Sequence, residues 1–224
     1  MIKLINININ INKKFQTSIN SFHILKNINL TIKKGEVVYL KGVSGSGKST
    51  LLNIIASVMK PTDGEVQVDG ENIVSFSDIY SSEYRKNRVG FITQNFYLFD
   101  ELSVEENLLV PLVIKDMTKK EIDEKIEKAL KIVNIFHKRV QKVATLSGGE
   151  KQRTVIARAI INNPDIILCD EPTANLDNEN RAFFIKIVKR LKKSGKTIII
   201  ATHDQFFEKQ EFIDRTIFIE NGTI

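Results

Sequence analysis

The chain has 224 residues, 42% hydrophobic and 27% charged, an ordinary globular balance with length enough to bury a substantial core. Its formal net charge is +6, but the lysines are scattered and form no block, which argues for an effect on solubility and against a nucleic-acid partner. There is no run of about 18 apolar residues and no apolar core of a secretion signal, and the single cysteine, Cys169, excludes an internal disulfide and a cysteine-rich zinc site, so a reducing cytoplasm is the expected setting.

Residues 4–12 alternate apolar side chains with asparagine, the period of a half-buried strand. Apolar stretches at 28–32 and 37–40 read as two further strands. The second runs into a glycine-rich segment, 42–50, that fits G-x-x-x-x-G-K-S/T with Gly42, Gly47, Lys48 and Ser49 at the fixed places, and another apolar run follows at 51–55. Strand, glycine loop and helix in that order make a receptor for the phosphates of a nucleotide. Glycines such as Gly42, Gly45 and Gly47 let the backbone approach an anion, and the N–H groups of the loop, through Ser44, Ser46 and Thr50, point inward. The helix that follows adds its positive end, Lys48 a charge for the β- and γ-phosphates, and Ser49 a hydroxyl able to ligate Mg²⁺.

Asp63-Gly64 and Asp69-Gly70 bracket a short strand at 65–68. The pattern then changes. Ser103 with Glu106, and Thr118 with Glu121, have the spacing of capping boxes. Beyond the second, Ile122, Ile126, Ala129, Leu130 and Val133 fall on one helical stripe, so residues 95–163 are expected to be helix-rich. Strand signals return at 166–169, 197–201 and 216–219, with a helix near 178–193. Near-continuous apolar strands alternating with helices predict an α/β core around a mostly parallel sheet, interrupted by a helical lobe.

Two segments carry further chemistry. The strand at 166–169 ends in Asp170 and Glu171, and in a doubly wound sheet ligands sit beyond the carboxyl ends of the strands. Asp170 is expected to face the Mg²⁺, directly or through water, and Glu171 to sit nearer the γ-phosphate, where it can orient and deprotonate a water. The segment Leu146, Ser147, Gly148, Gly149, Glu150 is also a capping box, but a plain helix start does not require two adjacent glycines. A helix start with bare N–H groups and a serine hydroxyl is a second phosphate receptor. One γ-phosphate is not easily held by two distant receptors of one chain, so a dimer in which each copy completes its partner's site is the economical arrangement.

On these motifs the chain resembles the nucleotide-binding domain of ABC (ATP-binding cassette) proteins over essentially its whole length, 1–224, as one domain. Residues 146–150 are similar to the family signature and Asp170-Glu171 to its Walker B motif. The resemblance implies a P-loop NTPase core with an N-terminal antiparallel β subdomain and an inserted helical subdomain at about 95–163. It implies that Gln94 touches Mg²⁺ and senses the γ-phosphate, that the loop of Asn175, Leu176 and Asp177 crosses a dimer interface, and that His203 holds the γ-phosphate. Phe15, 33 residues before Lys48, matches the aromatic that stacks on adenine, with Phe22 a nearby competitor. Ser147, Gly148, Gly149, Glu150 and Asp177 are then contacts to nucleotide. The strings around Gly90–Phe96, Glu106–Leu112 and Asp170–Asp177 are most similar to the lipoprotein-release, macrolide-export and cell-division cassettes, although Ala174 stands where that subfamily often has glycine.

The implied activity is ATP hydrolysis with Mg²⁺ by a homodimer that forms on ATP binding, drives an integral membrane permease and serves export or lipoprotein release. The alternative is an ATP-dependent regulatory tether of the cell-division type that transports nothing. The permease is expected to dock near Gln94–Phe99, where Phe96, Tyr97, Leu98 and Phe99 form either a pocket for a partner helix or part of the lobe core. The implied location is peripheral, on the cytoplasmic face of the inner or plasma membrane.

Overall fold

Strands that read as unbroken apolar runs need cover on both faces, and the fold supplies it. The computed structural model describes residues 1–15, 18–174 and 176–224, with the backbone alone for residues 8–15 and 18–23. A long hairpin, β1 (Ile2–Phe15) and β2 (Ser18–Ile32), comes first. Strand β3 (Val37–Lys41) runs into helix α1 (Lys48–Ile55), and β4 (Asp63–Val68), β5 (Glu71–Asn72) and α2 (Asp78–Arg88) lead to β6 (Val89–Ile92). Helices α3 (Val104–Leu109), α4 (Lys119–Ile132) and α5 (Gly148–Ile160) follow. The chain then runs through β7 (Ile166–Asp170), α6 (Asn178–Lys193), β8 (Thr197–Thr202) and β9 (Arg215–Phe218).

The described strands form two sheets: a parallel one in the order β6-β7-β8-β3-β9, and an antiparallel one in the order β2-β1-β4-β5. Successive residues of the parallel strands point to opposite faces. Tyr39, Cys169, Ile198 and Ile200 therefore enter one core, with the buried sides of α3, α4, α5 and α6. Leu40, Leu168, Ile199 and Ala201 enter another, with α1 and the antiparallel sheet. This is an α/β fold of P-loop NTPase type, and every strand of the parallel sheet runs the same way, so β3, β6, β7 and β8 all end on one edge.

Two local features depart from a plain reading of the pattern. The alternation in β1 changes parity: Leu4 and Ile7 are both buried, with Asn6 between them at φ 50° and a register shift against both neighbouring strands. A bulge there lets Ile2 and Leu4 face the core before it and Ile7 after it. Helix α2 carries no apolar stripe, so periodicity does not announce it. It starts at Ser77, whose hydroxyl accepts from Tyr80 N, and it is anchored by the buried Tyr84, whose hydroxyl donates to Ile55 O at 3.0 Å. No helix among the described residues is long and apolar enough to cross a membrane.

Candidate active site

The loop between β3 and α1 closes on its own lysine. Gly45 and Gly47 take φ of 79° and 104°, left-handed values that a side chain resists, and the turn brings the Lys48 ammonium to the carbonyls of Gly42 and Val43 at 2.8 and 2.9 Å. The lysine side chain is only 5% exposed and lies 3.8 Å from Glu171 Oε1. Ser46, behind the loop, is buried, and its hydroxyl has no hydrogen-bond partner among the described residues. Beside the loop is a cleft of about 380 Å³ lined by Ser44, Gly45, Gly47, Lys48, Ser49 and Thr50, together with Gln94, Glu171 and His203 from the ends of the neighbouring strands. Residues as distant in sequence as Ser44 and His203 thus meet because their strands are parallel neighbours.

The two acids at the end of β7 are held differently. Asp170 Oδ1 accepts from the Ser49 hydroxyl at 2.9 Å. Burial raises its pKa above the ordinary aspartate range, against the lowering effect of the Ser49 hydrogen bond, and the neighbouring Glu171 charge raises it further. Glu171 leaves the strand with φ 45°, its amide donating to Ala201 O at 2.8 Å. Its Oε2 accepts from the Thr202 hydroxyl at 2.5 Å, and its Oε1 lies 3.0 Å from His203 Nδ1. A carboxylate so gripped by Thr202 and His203, opposite a buried lysine, faces the cleft in a fixed orientation. Ser49, Asp170 and Gln94 offer oxygen ligands, which suits a hard cation. No group of three or more His, Cys, Asp or Glu among the described residues forms a metal cage of its own. That is the donor set expected for Mg²⁺, which keeps few protein ligands and shares the phosphates of its nucleotide.

The signature segment is elsewhere. Ser147 N-caps α5, its hydroxyl accepting from Glu150 N while Glu150 Oε2 accepts from Ser147 N at 2.8 Å. Ser147, Gly149 and Glu150 line a separate hollow of about 270 Å³ that shares no residue with the cleft at Lys48. The two glycines have different reasons. A Cβ on Gly149 would lie 2.4 Å from Asn180 Nδ2, so the Asn180 side chain of α6 would have to shift to admit one. A Cβ on Gly148 would meet nothing within 4 Å, so no neighbour among the described residues requires that glycine. Asp177 N-caps α6, its Oδ1 accepting from Asn180 N at 2.8 Å. Asn175 and the side chain of Phe15, with that of its competitor Phe22, lie outside the described residues; Ile24 of β2 does reach the cleft wall.

Some functional connections are invisible to motif spacing. Gln152, buried on α5, donates to Pro172 O at 2.9 Å and so ties the signature helix to the loop after Glu171. Arg158 donates to the carbonyls of Phe96 and Tyr97, tying the same helix to the loop after Gln94. A polar residue on the inward side of a helix, buried at Gln152 and half-buried at Arg158, is the signal the sequence offers for each. The four residues after Asn95 split: Phe96 and Leu98 pack against the helical core, whereas Tyr97 and Phe99 are 70% and 53% exposed.

A glycine loop between strand and helix, facing two acids at the end of a neighbouring parallel strand, defines a phosphate-loop nucleoside triphosphatase. The family model described as ABC transporter matches residues 25–174. The chain is 41% identical over 198 residues to the lipoprotein-releasing system ATP-binding protein LolD of Francisella tularensis, covering 88% of this chain and 86% of that one. It is 37% identical over 216 residues to the bacitracin export ATP-binding protein BceA of Halalkalibacterium halodurans, covering 96% and 85%. It superposes with a TM-score of 0.91 and 37% identity on MJ0796 of Methanocaldococcus jannaschii, solved as a dimeric post-hydrolysis cassette bound to ADP and Pi, over 100% of this chain and 96% of that one. The chain belongs to the ABC transporter family, as an ATP-binding cassette of the ATPase class.

Proposed function

We propose that this chain is the ATP-hydrolysing subunit of a membrane complex, that two copies close around two ATPs, and that closure and reopening work an integral membrane permease in export or lipoprotein release. One observation carries the reading. The Lys48 cleft and the Ser147 hollow are separate surfaces of one chain; if the start of α5 receives phosphate as a helix N-terminus can, a second copy is needed to bring the two together. The dimeric relative bound to ADP and Pi and the export and lipoprotein-release relatives support the same assignment.

In this reading the loop N–H groups and Lys48 hold the β- and γ-phosphates, and Ser147 and Gly149 of the other copy close over the γ-phosphate. Ser49, Asp170 and Gln94 would hold Mg²⁺, which supplies positive charge to the phosphate oxygens. Glu171 takes a proton from a water as its oxygen bonds to the γ-phosphorus, and the bond to the ADP oxygen breaks. Thr202 and His203 keep the Glu171 carboxylate aimed, and His203 contacts the γ-phosphate. The permease docks beside Gln94, on the face that exposes Tyr97 and Phe99, which places the subunit at the membrane as a peripheral protein. The 1–224 stretch acts as one cassette, with 95–163 as its helical subdomain.

Glu171→Gln keeps the shape of the side chain and removes the base. Phosphate release by the purified chain should fall by roughly 10²–10⁴ while ATP affinity stays near that of the unaltered chain. Turnover at the original rate would remove Glu171 from the assigned role.

A further inference from the structure

The turn at residues 220–223 is built into the wall of the Lys48 cleft. Asn221 and Gly222 take φ of 50° and 78°, the two left-handed corners of a type I′ turn, and Glu220 and Thr223 exchange both backbone hydrogen bonds at 3.0 and 2.9 Å. The turn is docked on β2: Lys26 N donates to Gly222 O at 2.7 Å, and Gly222 is buried against Ile24. A Cβ on Gly222 would lie 2.4 Å from Ile24 O, 3.0 Å from Ile24 C and 3.3 Å from Leu25 Cα. All three are backbone atoms, so no side-chain rotation makes room, and β2 itself would have to move.

The phosphate loop leans on the same two residues of β2. Ile24 lines the cleft together with Gly47 and Lys48. A Cβ on Gly47, the residue that N-caps α1, would lie 2.6 Å from Leu25 Cδ2 and 3.1 Å from the same Ile24 O. Ile219, buried just ahead of the turn, donates its amide to Lys41 O at 2.8 Å, and its carbonyl oxygen lies 2.4 Å from where a Gly42 Cβ would stand. Three segments distant in sequence, 24–25, 42–47 and 219–222, thus close on one another, with Gly42, Gly47 and Gly222 at the points of contact. Glu171 is held instead by Ala201, Thr202 and His203 at the end of β8.

We infer that Gly222 is a positioning residue of the nucleotide site: by seating the 220–223 turn against β2 it sets Ile24 in the cleft wall and Leu25 against Gly47, and so fixes the phosphate loop. The inference rests on the Lys48 cleft being the nucleotide site. A side chain at 222 then weakens the grip on nucleotide, while the step that depends on Glu171 keeps its rate.

The test compares Gly222→Ala with Gly195→Ala in the full chain. Gly195 has nearly the same φ, 77°, but a Cβ there meets nothing within 4 Å among the described residues, so that change carries the conformational cost of alanine without the contact. Gly222→Ala should raise the ADP dissociation constant about five-fold and keep saturated ATP turnover, per folded chain, within about two-fold. Gly195→Ala should leave both unchanged while lowering the urea midpoint. In the unaltered chain, which serves even where Gly222→Ala does not fold, ADP should slow hydrogen exchange at the Lys26 amide that Gly222 O accepts. An ADP dissociation constant no higher in Gly222→Ala than in Gly195→Ala, a loss of saturated turnover at unchanged affinity, or Lys26 exchange indifferent to ADP overturns the inference and leaves the cleft reading standing. Lys48→Ala should remove ADP binding; undiminished binding by that variant overturns the cleft reading and the inference with it.

Discussion

Glu171 is aimed by its backbone before it is aimed by its neighbours. Its left-handed φ of 45° costs about 1–3 kcal/mol for a side chain of this kind, and the amide bond to Ala201 O together with the Thr202 and His203 contacts holds it there. The pairing of Asp170 with Glu171 after an apolar run is readable in the sequence, because a strand must end where its charges begin. The strained turn that sends the two carboxylates in different directions is not, since it depends on β8 lying alongside β7. Gly149 makes the complementary point. Its missing side chain looks like room for a ligand, yet Asn180 of the same chain occupies that room. Gly149→Ala should displace the Asn180 side chain from its bonds to Asp177 and Arg153 and so destabilise the chain by about 1 kcal/mol in urea unfolding. In an Asn180→Ala background the same change should be neutral or stabilising, because alanine is the better helix residue. Equal costs in both backgrounds would show that Asn180 is not the obstacle.

At the scale of elements, helix starts are the most legible features. Ser103, Thr118 and Ser147 each make both bonds of a capping box with the glutamate three residues on. These are contacts between near neighbours, so sequence spacing determines them. Helix α2 and the parity change in β1 are fixed instead by distant partners: α2 by Ile55 and Ser57, the bulge by β4, where a Cβ on Gly64 would lie 2.5 Å from Asn6 O. The caps also carry a pH dependence. Glu106, Glu121 and Glu150 are held below the ordinary glutamate range, in each case first by the backbone N–H of the capping residue. A lowered pKa in the folded state means the contribution is complete above the unfolded value, about 4.3, and is lost as pH falls through the lowered folded value. Hydrogen exchange should show protection at the Ser103, Thr118 and Ser147 amides falling below about pH 4 while β8 remains protected. Protection that declines uniformly across the chain would contradict local fraying of these starts.

Over the whole molecule, α5 links three surfaces. Its start forms the Ser147 hollow, Gln152 reaches the loop after Glu171, and Arg158 reaches the loop that runs from Gln94 in the cleft to Phe99 on the exterior. Nucleotide and permease would thus act on one rigid element. Phe99→Asp should leave ATP binding intact and release the membrane subunit on purification; undiminished co-purification would move the docking face elsewhere. The motifs of both proposed phosphate receptors are legible because each is a short local segment. Their separation, and the bridges between them, belong to the packing of α5 against the parallel sheet.

In the proposed dimer the Lys48 cleft is completed by Ser147 of a second copy. This completion is tested most directly by the mass of the Glu171→Gln chain in solution, measured by light scattering with and without ATP and Mg²⁺. The mass should rise on ATP binding to twice the 25.5 kDa of one chain, and adding Ser147→Arg should abolish that rise. A mass that does not change with ATP, or an ATP-dependent dimer that survives Ser147→Arg, would contradict it.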